Sequence, residues 1–84
     1  MRVRPHGGSM RGRIESGQSV LLQPCSFEQV QVGDVVFTRW KGNYLLHLVV
    51  ELGKNDALIG NTLGKTNGWV SREDILAVVR EVTD

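Results

Sequence analysis

A mostly β domain, a small twisted sheet folded into a half-open barrel, is the fold class this sequence predicts. Three observations point there. β-Branched residues are abundant: twelve valines, three isoleucines and four threonines stand against two alanines in 84 residues. That balance favours pleated strands over helices. Ten glycines supply turn formers at short intervals. Two apolar runs, Val35–Trp40 and Tyr44–Leu52, flank Lys41-Gly42-Asn43 in the pattern of a β-hairpin. A chain of 84 residues holds one domain with one core and a thin stability margin.

The elements follow in order. Residues 1–8 read as a flexible basic arm ending in Gly7-Gly8, and residues 9–84 as a single β domain. Residues 9–17 hold few apolar side chains and end at Gly17, a loop. Ser19–Gln23 reads as a short strand stopped by Pro24. Residues 25–34 are a connection in which Val30 and Val32 alternate before Gly33-Asp34.

The hairpin strands come next. In Tyr44–Leu52 the even positions Tyr44, Leu46, Leu48, Val50 and Leu52 are all apolar or aromatic. Side chains alternate across a strand, so Leu46, Leu48, Val50 and Leu52 are the predicted core face, with His47 and Glu51 more exposed on the other. A two-residue loop at Lys41-Gly42 sets Val36 opposite His47. A loop at Gly42-Asn43 sets Thr38 there. Either way His47 shares a face with Val36, Thr38 and Trp40. Beyond it, Gly53–Asp56 reads as a turn, Ala57–Gly60 as a short strand and residues 60–68 as a loop. Ser71-Arg72-Glu73-Asp74 has the spacing of a helix cap with room for a turn or two. Ile75–Val82 is the closing strand.

Composition narrows the function classes. The net charge is +1. Arg2, Arg4, Arg11 and Arg13 carry the first thirteen residues with no acid among them, and the remaining chain is mildly acidic. No aromatic side chain interleaves these arginines, which argues against specific nucleic-acid binding, and residues 1–6 are expected to be disordered. No apolar run is long enough to span a bilayer, and Met1–Arg13 lacks the apolar segment of a signal peptide. A cytoplasmic protein without a membrane partner is the expectation. A single cysteine excludes an internal disulfide, and Cys25 with two histidines cannot complete a four-ligand zinc site. No metal or cofactor is expected. Cys25 reads as a small apolar filler, Trp40 and Trp69 as core edges, and His6 as an arm residue.

Two segments carry chemistry. The first is Gly8-Ser9-Met10-Arg11-Gly12-Arg13-Ile14-Glu15-Ser16-Gly17, running into Val20-Leu21-Leu22. It resembles the G-x-S-M-x-P-x-I-x-x-G-x-x-V-x-V segment of the signal peptidase and LexA-repressor superfamily of serine peptidases. The second, Gly33-Asp34-Val35-Val36-Phe37 followed by His47-Leu48-Val49-Val50, is similar to the G-D-V-V-x-F … H-R-V-V pattern of the archaeal and endoplasmic-reticulum members. Gly60-Asn61 and Ile75–Val82 resemble the later G-D-N and I-x-G-x-V segments. The sequence departs from the family at Gly12, where proline is usual, at Leu48 in place of arginine, and at Asn61 in place of aspartate.

The resemblance implies a serine endopeptidase-like domain acting on an extended peptide or leader segment of a protein substrate. Ser9 would be the nucleophile, its backbone N–H an oxyanion donor, and His47 the general base. Gly8, Met10, Val36 and Thr38 would be substrate-binding positions, and Asn61 the third member. A serine hydroxyl needs such a base, and histidine serves near neutral pH. An asparagine can orient the imidazole but offers no charge to its cation. The alternatives are a catalytically inactive peptide-binding module of the same fold, or a small nucleic-acid-binding barrel.

Overall fold

The computed structural model describes residues 1–4 and 12–83. Its strands are β1 (Arg2–Val3), β2 (Ser19–Gln23), β3 (Val35–Trp40), β4 (Asn43–Leu52), β5 (Asp56–Gly60), β6 (Thr66–Ser71) and β7 (Ile75–Thr83). They form one antiparallel sheet in the order β1-β2-β7-β3-β4-β5-β6, curled into a half-barrel. Two 3₁₀ turns, Phe27–Gln29 and Arg72–Asp74, interrupt the connections. Among the described residues no helix is long and apolar enough to cross a membrane.

The hairpin forms as its sequence dictates. Lys41 (φ 50°) and Gly42 (φ 82°) both take the left-handed region, which a two-residue turn between twisted strands requires. Trp40 therefore faces Asn43, and Val36 faces His47. The Lys41-Gly42 loop is thus the one the chain adopts.

Both faces of β3 and β4 are covered. Val36, Val49, Ala57, Ile59, Val70 and Ile75 form one cluster with Val30, and Cys25, Phe27, Trp40 and Leu52 pack against it. On the opposite face Ile14, Val20, Leu22, Val35 and Ala77 form a second cluster, joined by Phe37, Leu46 and Leu48. Complete burial of a side chain such as Ile59 or Val20 stabilises the fold by about 1.5–3 kcal/mol.

Bulges decide which residues reach which cluster. In β4 the register with β5 slips between Val49 and Glu51: Val49 pairs with Ile59 and Glu51 with Leu58. The extra residue, Val50, is left half-exposed at 39 %, and Leu52 then joins the cluster of Val49. Side-chain parity changes across such a bulge. The expected core face is corrected accordingly. Val50 is not buried, Leu46 and Leu48 belong to the second cluster, and His47 is buried at 7 % instead of exposed. A curled sheet with a core on each side leaves β4 no solvent face at that point.

Two other segments differ from expectation. Residues 60–68 are not all loop, because β6 begins at Thr66 and pairs with β5. Asn67 and Gly68 are weak strand formers. The Trp40 ring, however, lies where a Cβ on Gly68 would come within 2.8 Å of it, so a bare backbone is what lets β6 fold onto β3. Within the expected flexible arm, Arg2–Val3 pair with Leu21 and Val20. The Met1 amino group also donates to the Leu22 carbonyl at 3.0 Å.

Candidate active site

His47 sits at the middle of the sheet, with Val36 opposite it on β3 and Val49 two residues on. Its Nδ1 lies 2.5 Å from the Leu46 carbonyl oxygen. A carbonyl can only accept, so Nδ1 carries the hydrogen of this bond, and in the neutral ring Nε2 then keeps the lone pair. Val36 and Thr38 share the His47 face and have no exposed surface. The Thr38 hydroxyl donates to the Asp74 carbonyl at 2.9 Å, tying β3 to the start of β7. In this state both residues form the floor under His47, not a surface that a ligand could touch. Ser9, with Gly8 and Met10, lies outside the described residues.

Asn61 follows the last residue of β5. The β4–β5 ladder ends at Leu48 with Gly60, so Asn61 is the first residue beyond it. Its side chain has another task. Asn61 Oδ1 accepts the Leu63 N–H at 2.9 Å and the Lys65 N–H at 3.1 Å, and its own N–H donates to the Lys65 carbonyl at 2.8 Å. Asparagine is suited to closing such a turn. The turn carries the chain away from β4 and ends β5 there.

The consequence is an open edge. β5 covers β4 from Leu48 onward, while among the described residues no strand pairs with Asn43–His47 on that side. In a hairpin closed by a two-residue loop, Trp40 and Asn43 exchange backbone bonds, and the pattern alternates from there. Asn43, Leu45 and His47 bond to β3, in step with Val49, which bonds to Gly33 and Asp34 at 2.9 and 2.8 Å. Tyr44 and Leu46 therefore present their N–H and C=O to the open side. Sequence reading had no signal for this edge, because it depends on where β5 stops.

Tyr44 is 59 % exposed and stacks on Phe37 with ring centroids 5.6 Å apart, so the open edge carries an aromatic shelf on one face. Cys25 is partly exposed, and burial holds its thiol above the ordinary range, the opposite of what a nucleophilic thiol needs. Among the described residues no group of three or more His, Cys, Asp or Glu could hold a metal ion. The chain matches no family model, no curated protein and no solved structure.

Proposed function

We propose that this domain is a serine peptidase of the signal peptidase and LexA type, with Ser9 as nucleophile and His47 as general base, acting on an extended peptide. One observation carries the reading: among the described residues no strand pairs with the outer edge of the half of β4 that leads to His47. An extended peptide added there gains main-chain hydrogen bonds from Tyr44 and Leu46 and passes beside the histidine. The ordered Ser9, His47 and Gly60-Asn61 motifs and the half-barrel of mostly β structure agree with it.

The chemistry is acyl transfer. Ser9 Oγ attacks the scissile carbonyl carbon as its proton passes to His47 Nε2, and the Ser9 N–H receives the oxyanion. The imidazolium then returns that proton to the leaving amine nitrogen as the C–N bond breaks. Water releases the acyl group by the same route.

A second reading has its own support. Asn61 offers an uncharged amide where the family has aspartate, and its Oδ1 is engaged by two backbone N–H groups, so this position supplies no charge to offset the imidazolium. The same open edge would then serve a binding module that captures peptides without cutting them.

A fluorophosphonate probe read by intact-protein mass spectrometry separates the two. The wild type is expected to gain one adduct, mapped to Ser9, and Ser9→Ala none. His47→Gln, with its fold checked by circular dichroism, is expected to label at least about tenfold more slowly. No adduct on the wild type, or equal rates in the wild type and His47→Gln, moves the conclusion to the binding module.

A further inference from the structure

We infer that the Leu46 carbonyl, and not the Asn61 side chain, positions His47, fixing the ring as its Nδ1–H tautomer with Nε2 as the basic nitrogen. As a statement about catalysis this rests on the peptidase reading; as a statement about the ring it stands alone. Which imidazole nitrogen holds the proton is set by the bond the other one makes. Here Leu46 O lies 2.5 Å from Nδ1. His47 is buried, with 7 % of the residue exposed, so water competes weakly for that bond. The position that resemblance would make the orienting residue is engaged elsewhere, since Asn61 Oδ1 closes the turn to Leu63 and Lys65.

The placement of the carbonyl adds a second consequence. Leu46 is one of the two residues that turn their backbone groups to the open edge of β4. A carbonyl oxygen has two lone pairs. One receives the His47 ring, and the other is available to an N–H of a peptide lying along the edge. A single backbone oxygen then anchors both base and substrate, which sets the distance between the ring and the bound chain without an acidic side chain.

The test is the imidazole ¹⁵N NMR spectrum of the full chain at a pH where His47 is neutral. The Nδ1–H, bare-Nε2 pattern is expected for His47 in the wild type, and it should persist in Asn61→Ala. Replacing the Leu46–His47 peptide by a thioamide in a chemically synthesised chain weakens the acceptor, so the His47 pattern should move toward a mixture of tautomers. The same replacement at Tyr44–Leu45 should leave it unchanged. An Nε2–H pattern in the wild type, or a His47 pattern that moves in Asn61→Ala and not with the Leu46–His47 thioamide, overturns the inference. Absence of a Ser9 adduct together with the Nδ1–H pattern removes the peptidase reading and leaves the positioning of the ring supported.

Discussion

The two halves of β4 carry similar sequences and live in different surroundings. Among the described residues Asn43–His47 is paired on one side only, to β3, and it ends at a buried histidine. Leu48–Leu52 is paired along its length to β5, meets β3 at Leu48 and the Gly33-Asp34 turn at Val49, and contains a bulge. The far half gives β4 its anchorage: Val49 and Ile59, almost fully buried, face each other there. The near half keeps backbone groups available beside His47. The difference shows how one strand can be both a structural centre and a binding edge. The Asn61 turn sets the boundary by ending β5, and the Val50 bulge keeps Leu52 on the core side.

The comparison breaks most readily in the far half. Val49→Asn should destabilise the domain by about 3–5 kcal/mol, from lost burial and an amide left without partners. Urea unfolding followed by tryptophan fluorescence would measure it. A loss below about 1 kcal/mol would mean that Val49 does not face the core. Gly60→Ala comes next. A Cβ there would lie 2.6 Å from the Lys65 carbonyl and 3.3 Å from Val50, so the turn must shift. About 1–3 kcal/mol should be lost, and NMR shift changes should concentrate at 61–65 and in the near half of β4.

Val50→Asn sharpens the contrast with Val49→Asn. The bulged side chain is half-exposed, so stability should change by no more than about 0.5 kcal/mol. A loss as large as that of Val49→Asn would restore the alternation read from the sequence. The smallest effect concerns the clamp at the edge of the far half's core. Arg72 meets Glu28 at 2.6 Å and lies over the Phe27 ring. The hydrogen bond from Arg72 holds the Glu28 carboxyl below its ordinary range. A lowered folded value contributes stability above the ordinary glutamate range, and that contribution is lost as pH falls through the folded value. Full exposure screens it. Removing the pair with Glu28→Gln should therefore leave the acid limb of thermal unfolding almost unmoved, and a large shift would mean the pair is shielded from solvent.

Much of the sheet was legible because its causes are local. Val35–Trp40 has the period-two pattern, Lys41-Gly42 supplies the two left-handed residues of the turn, and Pro24 stops β2. The remainder depends on distant contacts. An extra residue at Val50 leaves no mark in the sequence, so alternation carried through it misassigns Val50, and that a core covers the His47 face as well as the Leu46 and Leu48 face is not visible in one strand's pattern. Asn67-Gly68 reads as loop until Trp40 is found on the Gly68 backbone. Arg2–Val3 reads as a flexible arm until its pairing with β2 is seen. His47 and Asn61 stood out as chemistry-bearing residues. Asn61's engagement in a turn, and the edge that this turn exposes, required the register between β4 and β5.

Native-state amide hydrogen exchange across β4 tests most directly the claim that its near half is an open edge. Amides bonded to neighbouring strands exchange through larger openings than those facing water. Tyr44 and Leu46 should exchange at least about a hundredfold faster than Leu45, His47 and Leu48, a free-energy difference of about 2.7 kcal/mol or more. Protection of Tyr44 and Leu46 equal to that of Leu48 would mean that another segment already occupies the edge, and would contradict the account.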